Sequence, residues 1–373
     1  MEMPMTPDPQ TPRPPLLALL RRHWLAFAGI GAIVLLMAAA FAWAGGWIGS
    51  SQRLTSREFI DTIEATGARH PGFRRAHSKG ICVSGTFQGT AEGVALSTAR
   101  VFSQTAVPVL GRLSIGGGDP HGADAAARVR SMALQLSSDD GQQWRMAMNS
   151  FPFFAVPSAA AFLEQTRAQI PDPTTGKPDP RKMAIFLDKY PQAKRFQAWA
   201  KSAAWSDSWA NTAYNGIHTF RFTNAAGDAQ SVRWSMRPQA PFKEMDKAGR
   251  EAAPVDYLAD EFNRRLAAGP VRWDLQVSLP ESGDALDDPS QPWPDTRRQL
   301  IVGTLTLERA QPQAVGACRD VNFDPLILPT GIAGSDDPIL AARSAVYAQS
   351  FERREREIAS GKASDATGHG ENP

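Results

Sequence analysis

The sequence is poor in cysteine: Cys82 and Cys318 are the only two among 373 residues. Two thiols cannot build a multi-bridge scaffold, and their separation matches no zinc-ligand spacing, so neither a disulfide-rich module nor a zinc site is expected. One disulfide and two small buried side chains both remain open for the pair. An excess of charge of one sign is lacking as well, with 40 Lys and Arg against 38 Asp and Glu and a net charge of +2. That balance is too small and too evenly spread to make the basic face nucleic acid requires, and that partner class is excluded. Between residues 54 and 355 there is no Gly- or Ser-rich linker, no repeat and no heptad pattern, which predicts one continuous domain over that range. The apolar and charged fractions are ordinary and name no function.

What the chain does have is a run from Trp24 to Gln52 without a single charge. Its apolar part is long enough to cross a bilayer core of about 30 Å as a helix, and a transmembrane anchor is expected over 24–47. Trp24, Trp43 and Trp47 stand near its ends, where indole rings favour the headgroup boundary. Arg13, Arg21 and Arg22 precede it, although Arg53 and Arg57 follow closely. The basic excess places residues 1–23 in the cytoplasm and the folded part in the periplasm, as a single-pass inner-membrane protein. Ala42-Trp43-Ala44 would suit a signal peptidase, but the run is longer than the apolar region of about 7–15 residues typical of a cleaved leader. Residues 356–373 are rich in Gly, Ser and charge and, like 1–23, read as a poorly ordered tail.

Short β-rich runs recur at Ile81–Phe87, Val107–Ile115, Met132–Leu136, Trp144–Met148, His218–Thr223, Ser231–Met236, Trp273–Val277 and Leu300–Leu307. About eight such runs suggest a barrel or a curved sheet. Helices are expected at Ser158–Gln169, Pro180–Ser202, Pro254–Ala268 and Pro338–Glu357, several opening on Pro or Ser. Strands and helices do not alternate regularly, so the class is α+β with an antiparallel sheet.

Chemistry concentrates in a few segments. PGFRRAHSKGICVSGTFQG places His77 among basic residues directly before a strand. A lone histidine there is more often structural than functional. With Arg74, Lys79, Gly80, Gly85 and Phe87, however, the segment resembles the catalase family, whose distal signature reads Arg-x-x-His-x-Lys-Gly before a strand carrying Gly-x-Phe. Further segments fit the same family in order. VLGRLSIGGG supplies Arg112 and Ser114, and GQQWRMAMNSFPFF supplies Asn149, Phe153 and Phe154. NGIHTFRFTNAAG carries His218, FDPLILPTGI forms a turn, and DPILAARSAVYAQSFERR carries Asp337, Arg343, Tyr347 and Arg354. The resemblance covers about 300 residues and implies an antiparallel β-barrel of about eight strands with surrounding helices, binding haem b.

The spacing in the last segment has a physical reason. Arg343 and Tyr347 are i and i+4 neighbours on a helix, so the guanidinium can lie beside the phenol oxygen. Tyrosine is an axial ligand of haem iron in such proteins, and a nearby cation favours its phenolate. By resemblance Tyr347 is the iron ligand, His218 and Asp337 extend the pair from Arg343, and Phe154 borders the haem. Arg74, Arg112 and Arg354 are the cations for the haem carboxylates, which are very costly to bury unpaired. Taken alone, Arg343 and Tyr347 would read as a surface pair, and Arg354 as part of the Glu352–Glu355 charge run.

Across the haem, the resemblance makes His77 the group that takes and returns the proton of bound peroxide, with Ser114 holding its ring and Asn149 nearby. The sequence departs from catalases where the first of two adjacent asparagines is replaced by Met148. The acidic channel marker is replaced by Arg128, and channel valines by Ala76 and Gly116. A wider, less acidic approach that handles a second peroxide poorly is expected. This favours peroxidase turnover with hydrogen peroxide or an organic hydroperoxide and a small organic reductant, as in short catalase-related peroxidases. The family's nicotinamide-binding stretch is not evident before His218. The rival readings are a catalase, a hydroperoxide isomerase, a Tyr-ligated haem carrier and a haem-free module on the same scaffold.

Overall fold

A computed structural model describes residues 23–44 and 54–363, which separate into an N-terminal unit and a folded unit beginning at Thr55. The N-terminal unit contains helix α1, Trp24–Ala44, whose apolar side chains are exposed all round. Its 21 residues span roughly 31 Å at 1.5 Å per residue, enough to cross a membrane or to serve as a leader. The expected tail over 1–22 and the end of the anchor at 45–47 lie outside the described residues.

The folded unit is built on ten antiparallel strands: β1 Gly80–Gly89, β2 Val107–Ile115, β3 Arg130–Ser137, β4 Gln143–Asn149, β5 Tyr214–Asn215, β6 Phe220–Thr223, β7 Ala229–Pro238, β8 Val271–Ser278, β9 Gln299–Pro312 and β10 Ile332–Gly334. Eight close a barrel in the order β7-β5-β4-β3-β2-β1-β9-β8, with β8 returning to β7, while β6 and β10 extend from β7. Closure pairs every barrel edge. At Gly85 the β1–β9 register slips, and a Cβ there would meet the Thr306 carbonyl oxygen at 1.9 Å, so only glycine lets these strands approach.

Alternation along the strands fills the barrel with aromatic and aliphatic side chains. Trp144 meets Trp234 edge-on at 5.1 Å, and Phe220 stacks on Trp234 at 3.9 Å. Burying each such ring contributes about 1.5–3 kcal/mol or more. The interior is therefore solid, and the outward face of β2–β4 is the surface left for a ligand.

Helices surround the barrel: α2 Ser56–Glu64, α3 Ala159–Ala168, α4 Pro180–Lys189, α5 Ala193–Ser202, α6 Tyr257–Ala268 and α7 Pro338–Ala359. Helix α6 packs against β9, and α2, α3, α5 and α7 lie over the β2–β4 face. The single helix expected over Pro180–Ser202 is two, because Pro191 follows Tyr190, and a residue before proline is steered out of the helical region. Helix α2 was not expected, and it is opened by Thr55, whose hydroxyl accepts from Glu58 N–H. Helix α7 runs to Ala359, beyond the expected end of the folded part at 355. The start of the expected tail is therefore corrected, because residues 356–359 are helical and Glu357 is buried, while 364–373 lie outside the described residues.

Candidate active site

The outward rows of the β1–β4 wall define the site. Register aligns Gly80, Ser114, Ser131 and Asn149 across β1, β2, β3 and β4, and next to them Cys82, Arg112, Ala133 and Ala147. A Cβ on Gly80 would come within 2.9 Å of the Arg112 guanidinium, so glycine makes room for that cation. Over the wall lies a cavity of about 540 Å³. Its lining includes His77, Ser114, Asn149 and Phe154, Arg343 and Tyr347, and Arg74, Arg112 and Arg354. Nine of the eleven side chains read from sequence thus share one space. His218 and Asp337 do not line it and lie buried behind.

His77 stands in the left-handed region, with φ 56°, an uncommon conformation for a residue with a side chain. Its neighbours hold it there. Ser78 N–H donates to Gly117 O, and the Ser78 carbonyl accepts from Arg112 Nη2 at 3.0 Å and Gln313 Nε2 at 2.9 Å. Burial pushes the His77 ring down to about 4, aided by the charges of Arg112 and Arg343. It is therefore neutral, and able to accept a proton, above about that pH.

One expectation shifts here. Ser114 lines the cavity, but the hydroxyl beside the imidazole belongs to Ser131, whose Oγ is 3.0 Å from His77 Nδ1. The same oxygen donates to Asn149 Oδ1 at 2.5 Å, so Asn149 is tied to the wall. Met148 alternates to the other face of β4 and packs in the barrel core with Met132 and Met146, so the carboxamide on the cavity wall is Asn149 and the expected gap at that position is corrected. Arg128 turns away from the cavity. Its guanidinium lies over the Trp199 and Trp205 rings at 5.0 and 4.7 Å and donates to the Ala203 and Ala204 carbonyls that end α5. Val129, Gly116 and Ala76 form that part of the lining instead.

Helix α7 carries three of the groups. Arg343 Nη2 donates to Tyr347 Oη at 2.9 Å and to Ala147 O at 3.0 Å. Asp337 caps the helix by accepting from Ile339 N–H at 2.8 Å, and its other oxygen lies 2.5 Å from His218 Nδ1. Burial pushes His218 down to about 4 against the pull of Asp337, and the Arg343 charge lowers it further. His218 thus donates its Nδ1–H to a carboxylate, while its Nε2 and Arg343 Nη1 have no partner.

The arginines test what the cavity could hold. Burial lowers Arg74 well below its ordinary value, with Arg112 and Arg354 adding repulsion, and Arg112 falls to about 9 for the same reasons. Arg74 donates only to the carbonyls of Cys318, Arg319 and Val321, and the Nε atoms of Arg112 and Arg354 have no acceptor. Three cations crowded at one rim, two with unused donors, call for an anionic ligand carrying more than one charge. A flat apolar body between His77 and Tyr347, with its carboxylates at this rim, fits, and a haem answers that description. Cys82 and Cys318 are joined in a disulfide with Cα atoms 5.3 Å apart, settling the alternative left open above. The bond pins to β1 the loop whose carbonyls receive Arg74.

An ion-pair network ties α7 to the residues ahead of β1. Glu357 of α7 accepts from Arg75 at 2.5 Å, Arg69 at 3.0 Å and Gly72 N–H at 2.8 Å, while Arg75 and Arg353 both bond Glu64 of α2. Burial works to raise the Glu357 carboxyl, but Arg75, Gly72 and Arg69 outweigh it and hold it below its ordinary value. A depressed carboxylate contributes stability that is complete above its unfolded value and is lost as pH falls through its folded one. Glu357→Gln should therefore cost about 1–3 kcal/mol in a urea melt near neutral pH, because Arg75 keeps Glu64 but loses one of its two carboxylate partners. The difference from the unmutated protein should shrink in acid; an unchanged midpoint at neutral pH would show that the network stabilises nothing.

Comparison with known proteins agrees with this geometry. Residues 52–357 match the family described as Catalase. A catalase-related peroxidase of Synechococcus elongatus is 38% identical over 337 residues, covering 90% of this chain and 98% of that protein. One from Mycolicibacterium paratuberculosis is 33% identical, covering 81% of this chain and 95% of its own. Among solved structures, a fungal catalase superposes with a TM-score of 0.68 at 19% identity, over 82% of this chain and 64% of that one. A bacterial catalase gives 0.67 at 20%, over 82% and 62%. With the family matched over residues 52–357 and a relative 38% identical along nearly its whole length, this chain belongs to the catalase family.

Proposed function

We propose that the protein is a haem b peroxidase that reduces hydrogen peroxide or an organic hydroperoxide at the expense of a small organic donor. The observation that carries this reading is that His77, Tyr347, Arg74, Arg112 and Arg354 line one cavity. Haem, when bound, supplies the electrons that cleave the peroxide bond and recovers them from the donor. Tyr347 would be the iron ligand, its oxygen held by Arg343, which His218 and Asp337 back. Arg74, Arg112 and Arg354 would pair the haem carboxylates, and Phe154 would border the ring. Neutral His77 would accept a proton from one peroxide oxygen and return it to the other, which leaves as water or an alcohol.

Ala76 and Gly116 in the lining leave room for an organic donor, which favours peroxidase over catalase turnover. The loaded full-length protein should oxidise a phenolic donor on addition of peroxide while evolving little oxygen; vigorous oxygen release without donor would make it a catalase.

The reading extends to the cell envelope: α1 anchors the chain in the inner membrane, and the peroxidase domain faces the periplasm. The disulfide supports an oxidising compartment. Protease added to spheroplasts should degrade the domain, and its resistance would reverse the orientation.

A further inference from the structure

Resting on the peroxidase reading, we infer that Ser131 is a positioning residue that fixes the tautomer of His77 by linking it to Asn149. Sequence analysis gave this task to Ser114, and no motif singled out Ser131. The assignment comes from register and hydrogen-bond direction.

Ser131 is the second residue of β3 and stands in the row between Ser114 of β2 and Asn149 of β4. It is buried, 6% exposed, so water does not compete for its hydroxyl. A serine hydroxyl has one proton to give and lone pairs to receive. Its proton goes to Asn149 Oδ1, 2.5 Å away, an acceptor that cannot donate. What Ser131 then offers His77 Nδ1, at 3.0 Å, is a lone pair. That nitrogen must carry the ring proton.

The consequence falls on the opposite nitrogen. A neutral imidazole has one N–H, so with Nδ1 protonated the Nε2 lone pair is free to accept a proton. The reverse chain, with the Asn149 amide donating to Ser131 and Ser131 donating to Nδ1, would put the ring proton on Nε2. His77 could not then accept there. The two arrangements exclude each other. Asn149 therefore acts through Ser131, as the end of a chain that sets which nitrogen is basic. The left-handed backbone at His77 and the bonds around Ser78 bring the ring to the wall, and Ser131 sets its electronic state.

The test uses the full-length chain in detergent, labelled with nitrogen-15 at its 6 histidines. The His77 signals are those lost in His77→Gln. Before haem is added, Nδ1 should give a pyrrole-type shift and Nε2 a pyridine-type shift near neutral pH. Ser131→Ala should abolish this preference and mix the two forms, whereas Ser131→Thr, which keeps the hydroxyl, should retain it. After loading, Ser131→Ala should lower kcat/KM for peroxide by about tenfold, the lower end for losing an orienting partner, and Ser131→Thr should stay within about twofold. Should the alanine variant not fold, Ser131→Val against Ser131→Thr makes the same comparison at nearly constant shape. Wild-type protein with Nε2 protonated, or a hydroxyl-free variant with unaltered shifts and rate, overturns the inference. The tautomer is read without haem, so a chain that fails to consume peroxide sinks the peroxidase reading while leaving this result to stand or fall by itself.

Discussion

His77→Ala is expected to slow peroxide-dependent oxidation of an organic donor by about 10²–10⁴-fold, the span usual for removing a positioned proton-transfer group. The effect should be this large because His77 is the neutral imidazole in the cavity lining, held near 4 by burial and by Arg112 and Arg343. Its neighbours cannot substitute. Ser131 and Asn149 have no basic nitrogen, and the arginines are cations. Haem binding should survive, since the groups assigned to hold it lie elsewhere: Tyr347 and Arg343 on α7, and Arg74, Arg112 and Arg354 at the rim. Stopped-flow measurement of peroxide consumption, with the absorption spectrum as a check on loading, separates the two properties. Undiminished turnover with haem in place would mean that His77 moves no proton, and the non-catalytic haem carrier would become the better description.

Tyr347→Phe should act on binding itself. Removing the oxygen takes away the proposed iron ligand and leaves Arg343 with only Ala147 O as acceptor among its bonded partners. Substituting outer partners of a metal ligand typically costs about 10–100-fold in affinity, and losing the ligand should exceed that. The purified variant should contain little haem, and haem added back should lack the absorption of high-spin ferric iron bound to phenolate. Arg343→Gln should be intermediate, keeping the ligand but losing its cation. A Tyr347→Phe protein that retains haem with the original spectrum would remove Tyr347 from the iron.

What the sequence disclosed follows a physical line. The barrel was readable because its strands are β-branched and aromatic runs of ordinary length, and Val107–Ile115 has the bounds expected of it. Side chains belonging to fixed local patterns were readable too: His77 two residues before the Lys79-Gly80 pair, and Tyr347 one helical turn from Arg343. Ser131 was not. It sat one residue before the expected strand at Met132–Leu136, and its partners lie across two hairpins. Only register brings them together. The β5 and β10 strands, of two and three residues, are too short to show a period. Helix α2 belongs to the folded unit through partners nearly 300 positions away, Asp61 and Glu64 meeting Arg353 at separations of 292 and 289. No window along the chain contains both ends of such a pair.

Those same separations bear on how the protein is made. Arg75 and Glu357 are 282 residues apart, and α7 contributes Arg343, Tyr347 and Arg354 together. The ribosome emits the chain from its N-terminal end, so the barrel wall with His77 is finished long before its counterpart leaves the exit tunnel. Pigment arriving early would meet half a receptacle. Loading therefore waits for α7, and a nascent chain stalled before Arg343 should carry no colour however well its strands have closed.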